Sequence, residues 1–179
     1  MSNHSKEYNN IDEMLIASQT MRNYQLMHNA IRNDYIVLLE ITGKSQENQK
    51  SFDALYRACI ISMFSLVESD IYGLNVLDPY PNYSDKHDFT SKLEKTFKQI
   101  SRTWEKEEIK QQYFYSCKPQ LKVLKRMRDE IIHPKEISHI HIATETKFKE
   151  LKAVFNDYDS FINDLMNNFF LSTKINLFK

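Results

Sequence analysis

Two glycines and four prolines in 179 residues are too few for an all-β chain, which needs a tight turn at every strand reversal. Long stretches instead carry apolar residues at helical spacing, so the chain is read as all-α. With 41% apolar residues, a chain of this length can bury one sizeable core. The expectation is a single domain over residues 1–179, an up-and-down bundle of four or five main helices, with residues 1–9 and 172–179 frayed. Basic and acidic residues balance at 24 each, so no global positive field draws in nucleic acid and any such contact must be a local patch. Cys59 and Cys117 make no disulfide framework and fit a reducing cytoplasm. Residues Met1 to Asn10 are polar with no apolar signal core, and no run of about 18 uncharged apolar residues occurs. A soluble cytoplasmic chain without a membrane partner is expected.

The first helix is placed from an Asn10 cap through Met14, Met21, Tyr24, Ile31 and Leu38 to about Gly43. Ser51 is expected to cap a second, nearly all-round apolar helix that runs to Leu74 and is central in the bundle. Pro79, Pro81 and Asn82 mark a loop. A lysine-rich, more exposed region from Asp88 to Trp104 follows, then a helical piece from Glu105 to Tyr115. Pro119 suits the first turn of the next helix, and Pro134 closes it by disfavouring αR at His133. Thr144 begins a last helix running to Phe169.

The helix before Pro134 contains an anomaly. At about 100° per residue, Leu121, Leu124, Met127, Ile131 and Ile132 share one face, and Arg128 falls inside their arc. Lys118, Lys122, Lys125, Arg126, Asp129 and Glu130 project to the other side. Burying an unpaired guanidinium costs several kcal/mol, so the fold must supply a carboxylate, a ligand anion or a wet cleft. Glu68 and Asp70 on the second helix are the two candidate acids. A purely structural ion pair and a catalytic arginine are both open, and one acid can serve both.

Arg128-Asp129-Glu130-Ile131-Ile132-His133 resembles the signature of the HEPN family (higher eukaryotes and prokaryotes nucleotide-binding domain): arginine, four to six residues of which the first is usually polar, then histidine. Ala58 to Glu68, small and apolar residues preceding a glutamate, is similar to that family's second helix. The likeness spans roughly residues 52–170; the long first helix and residues 85–115 match no subgroup. It implies a metal-independent endoribonuclease that needs no cofactor, with two copies of the motif meeting across a homodimer interface.

The residue types suit that chemistry. Attack by an RNA 2′-hydroxyl needs a base, an acid for the leaving 5′-oxygen and a cation for the phosphorane charge. His133, with an ordinary pKa of about 6.5, serves as either base or acid. Arg128 offers a planar fork for phosphate oxygens. Asp129 orients a partner group or is only solvated. The products would carry a 2′,3′-cyclic phosphate and a 5′-hydroxyl.

Lys118, Lys122, Lys125 and Arg126 form a basic stripe, either a solvated face or the place where RNA phosphates bind. One of Tyr113, Phe114 and Tyr115 is a candidate for stacking on an unpaired base. His139 and His141 are suitably spaced on an extended segment for zinc but lack a nearby cysteine and a third ligand, so no metal site is assigned; the loop is equally suited to lie along an RNA cleft. Two functions are carried forward. One is a ribonuclease acting on tRNA, mRNA or another structured RNA, as a toxin or antiviral effector restrained by an antitoxin-like or regulatory partner. The other is a non-catalytic bundle for dimerisation, nucleotide binding or protein interaction.

Overall fold

The computed structural model describes residues 6–167 and the backbone of 173–175. Two long helices, α1 (Ile11–Lys44) and α2 (Gln49–Leu77), pair through a four-residue connection, which is short enough to make them antiparallel neighbours. Helix α3 (Phe89–Thr103) follows. A short helix α4 (Glu107–Ile109) and a wide π-helical turn (Lys110–Phe114) then lead into α5 (Tyr115–Ile132). A loop with one 3₁₀ turn (Ile137–His139) connects to α6 (Glu145–Met166). The all-α bundle expected from the sequence is what forms.

Helix ends follow local chemistry. The Asn10 side chain accepts from the Glu13 N–H and the Thr144 side chain from the Lys147 N–H, as expected. The cap of α2 is Asn48 rather than Ser51. Its side chain accepts the Ser51 N–H, so the helix starts three residues earlier than the serine suggested. Pro119 sits inside α5 rather than at its start, and the wide turn of residues 110–114 lies directly upstream of it. Pro134 ends α5 as anticipated, with His133 outside the helical region at φ −127°, ψ 61°.

Other expectations are corrected. The lysine-rich region of residues 88–104 is not an exposed tract: Phe89, Leu93, Phe97, Ile100 and Trp104 are all buried. Their spacing places them on one face of α3, while the lysines line the other. Residues Lys6–Tyr8, expected to be frayed, form a strand β1 that pairs in parallel with β2 (Thr173–Ile175), and Tyr8 is buried. Phe169 and the rest of the expected helix beyond Asn167 lie outside the described residues. Among the described helices, α2 alone is long and apolar enough to cross a membrane, and more than half of that stretch is buried inside the bundle.

Polar groups also reach the centre. Asp70 of α2 is fully buried; its carboxylate meets His28 Nδ1 of α1 at 2.7 Å and accepts the Tyr158 hydroxyl of α6 at 2.8 Å. Burial raises its pKa, and the contacts to His28 and Tyr158 partly offset that rise. Beside it, Gly73 lets α1 approach closely: a Cβ there would stand 2.4 Å from the Tyr24 ring. Further along, Arg32 grips Asp159 with two nitrogens at 2.5 and 2.6 Å, tying α1 to α6 on the outside. Asp70→Ala should therefore lower the stability measured by urea unfolding by about 3–5 kcal/mol, since it leaves His28 and Tyr158 buried without their acceptor. A loss under about 1 kcal/mol would show that the network contributes little.

Candidate functional site

Leu121 and Leu124 of α5 are buried and Met127 and Ile131 are partly so, which turns the helix as its apolar arc requires. Ile132, at the end, is exposed. Arg128 lies in the same arc, its side chain 29% exposed. Its Nη2 stands 3.9 Å from Glu68 Oε1 on α2, and its Nη1 donates to Asp129 Oδ1 at 3.3 Å. The Nε–H is buried with no hydrogen-bond partner among the described residues. The guanidinium is thus held loosely, by two long contacts, where a structural pair would show the short bidentate fork seen between Arg32 and Asp159. Of the two candidate acids, Glu68 is the one near Arg128. Asp70 is committed to His28 and Tyr158.

Asp129 is more than a solvated neighbour. It binds Lys125 one turn back as well as Arg128. Partial burial pushes its carboxyl up, but the hydrogen bonds from Lys125 and Arg128 outweigh this and hold it below the usual aspartate range. His133, exposed at the C-terminal cap of α5, makes no side-chain hydrogen bond among the described residues. Both ring nitrogens are open to a substrate. Glu130, expected on the solvated side, accepts from His141 Nε2 at 2.7 Å and lies 3.8 Å from Arg126. The histidine-bearing loop is thereby fastened to the last turn of α5, and Arg57 of α2 adds a bond to the His141 carbonyl at 3.1 Å.

The other expected contacts divide. Lys118 and Lys122 both pair with Glu94 of α3, at 2.8 and 3.3 Å, and Lys125 pairs with Asp129. The basic stripe is therefore interleaved with acids, and its net positive field is smaller than the row of cations suggests. Phe114 is buried against Phe97 and Phe161, and Tyr113 is partly buried, its hydroxyl pushed up in pKa chiefly by Asp164. Tyr115 is the one of the three that faces outward. His139 uses both nitrogens locally: Nδ1 accepts the Lys135 N–H at 3.1 Å and Nε2 faces Glu136 at 3.1 Å. No group of three metal-ligating side chains occurs among the described residues. A cavity of about 340 Å³ between α5 and α6, lined by Tyr56, Pro119, Leu124, Met127, Lys147 and Glu150 among others, does not include Arg128 or His133.

No family model matches this chain, and neither a curated protein nor a solved structure matches it. The likeness to HEPN proteins thus rests on the motif and its helical setting alone.

The contacts of the pair Lys125–Asp129 were legible as an i,i+4 spacing; the Glu130–His141 bond, between residues eleven apart across a proline, was not. Asp129 should titrate below the ordinary value of about 3.9 in a pH-dependent NMR experiment, and Lys125→Ala should move it back up. Because its folded pKa is depressed, its contribution to stability exists above the ordinary aspartate range and disappears as pH falls through the depressed value. An unshifted Asp129, unmoved by Lys125→Ala, would remove it from the site's electrostatics.

Proposed function

We propose that this protein is an endoribonuclease of HEPN type, cleaving RNA through its own 2′-hydroxyl at a site built from Arg128 and His133. The observation that carries the reading is the incompletely satisfied Arg128 five residues before a histidine with both nitrogens free, on one helix end. A phosphate is the kind of anion such a guanidinium lacks. Arg128 binds the non-bridging oxygens and stabilises the charge that develops on phosphorus. His133 takes the proton of the 2′-hydroxyl or returns one to the leaving 5′-oxygen. Glu68 and Asp129 are positioning residues that hold the guanidinium plane, and the reaction runs without metal or cofactor.

One protomer offers one imidazole, while the reaction uses a base and an acid. The homodimer implied by the resemblance would bring two His133 side chains into one cleft. Ile132, Ile137, Ile140 and Ile142 are exposed around the motif, and such an apolar rim supports burial against another copy or a regulatory protein. Tyr115 is available to stack on a base. The biological role proposed is that of a toxin or antiviral effector in the cytoplasm. The reading as a non-catalytic interaction module draws on the same rim and on the neutralised basic stripe.

Purified protein incubated with tRNA and mRNA in EDTA should cleave them, leaving 2′,3′-cyclic phosphate ends. Arg128→Ala and His133→Ala should each reduce the rate by about 10²-fold or more. Equal cleavage by all three proteins, loss of cleavage in EDTA, or no cleavage by folded wild-type protein would count against the nuclease and, in the last case, favour the interaction module.

A further inference from the structure

A cavity of about 100 Å³ shares Glu68 with the Arg128 site. It lies between the Glu68–Tyr72 turn of α2, the loop of residues 78–88 and the first turn of α3. Its walls are largely aromatic: Phe89 and Ile71 are buried, Tyr83 is half-buried and Tyr72 is exposed. Phe89 also links it to α5, because Lys125 Nζ stands 6.0 Å from the centre of that ring. The loop that carries Tyr83 is anchored. Tyr80 is buried, its hydroxyl meets His87 Nδ1 at 2.8 Å, and its ring meets the Tyr83 ring edge-on at 5.3 Å. Three charged side chains reach the cavity, and none of them is in a close ion pair. Glu68 has only its 3.9 Å contact with Arg128. One Asp85 oxygen accepts the Tyr83 hydroxyl at 2.6 Å, and the other has no partner among the described residues. Lys92 donates to the Asp85 carbonyl at 3.4 Å and to nothing else described. By contrast, Lys118 with Glu94 and Arg32 with Asp159 are closely joined.

We infer that this cavity is a base-binding subsite selective for guanine, which receives the base of the nucleotide whose phosphate Arg128 holds. The inference rests on the nuclease reading for the role of Arg128; the selectivity comes from the cavity itself. An unpaired base is recognised by stacking on aromatic rings and by hydrogen bonds to its Watson–Crick edge. Tyr72 and Tyr83 supply the rings. The edge is chosen by the charged groups, because an ionised carboxylate only accepts hydrogen bonds and an ammonium only donates them. Guanine presents two adjacent donors, N1–H and the N2 amino group, next to the O6 acceptor. Glu68 and Asp85 accept from the two donors, and Lys92 donates to O6. Uracil has one donor flanked by two carbonyl oxygens, which two carboxylates repel. Adenine and cytosine each carry a single amino donor on that edge and leave one carboxylate unmatched. A base and its own phosphate are one ribose apart, which is the separation that a shared Glu68 imposes between the cavity and the guanidinium.

The test is NMR titration of the full chain with the four nucleoside 3′-monophosphates. Guanosine 3′-monophosphate should bind about tenfold or more tightly than each of the other three. Asp85→Asn keeps an acceptor for the Tyr83 hydroxyl but replaces the free oxygen by a donor, and it should remove most of that preference. Lys92→Ala should reduce it as well. Tyr72→Ala, at a side chain 54% exposed, should weaken all four nucleotides by about tenfold and leave their order unchanged. Arg128→Ala should weaken all four through the phosphate and keep the preference for guanine. Thermal melting by circular dichroism checks that each variant is folded. Equal affinity for the four nucleotides, no binding of any of them, or a guanine preference that Asp85→Asn leaves intact would overturn the inference. Failure of the nuclease reading gives a different result: folded protein that cleaves no RNA but still prefers guanosine 3′-monophosphate supports the subsite and rejects the nuclease. Where RNA is cleaved, the cuts should fall beside guanosines, and cuts spread evenly over the four bases would overturn the inference.

Discussion

Three helices converge on one carboxylate that has no access to water. Asp70 takes His28 from α1 and Tyr158 from α6, and it stands on the central helix α2. An apolar residue at that position would leave two polar side chains stranded in the core, so the network fixes how α1, α2 and α6 are registered against each other. Gly73, three residues on, permits the close approach of Tyr24 on which that register depends. The rest follows from α2. Its neighbouring turn carries Glu68 toward α5, and α5 carries Arg128 back toward α2.

Two arginines of this bundle are held in contrasting ways. Arg32 is saturated by Asp159 through a short bidentate pair, as a side chain whose task is to join two helices should be. Arg128 has the burial of an inward residue without the matching partner. The proposed anion site rests on this under-coordinated cation, five residues before a histidine that makes no side-chain hydrogen bond among the described residues. Around it, the Glu130–His141 bond and the Lys125–Asp129 pair stiffen the helix end and its loop.

Much of this was legible in the sequence. The inward placement of Arg128, the Asn10 and Thr144 caps and the closing effect of Pro134 all depend on local geometry that residue types report directly. Asn48 and Ser51 are both good caps three residues apart, so the choice between them was decided by the hydrogen bond formed and not by propensity. Lysine content concealed the buried face of α3, because composition averages over a helix whose two sides differ. Glu68 and Asp70 are two residues apart and so about 200° apart on α2. Only one of them was able to face α5, and which one depends on the packing of α1 and α6, which no local pattern encodes. Of the acids that neutralise the basic stripe, Glu94 comes from α3, again a tertiary fact, while Asp129 and Glu130 lie on α5 itself.

The central claim is that Arg128 and His133 together receive an RNA phosphate. The direct measurement is NMR of the Arg128 guanidinium and His133 ring signals during titration with a 2′-O-methyl oligoribonucleotide, which binds but has no free 2′-hydroxyl to react. The account predicts that both signals shift together and saturate together, and that Arg128→Ala abolishes the His133 shift. RNA that binds with neither signal moving, or that does not bind at all, would contradict it.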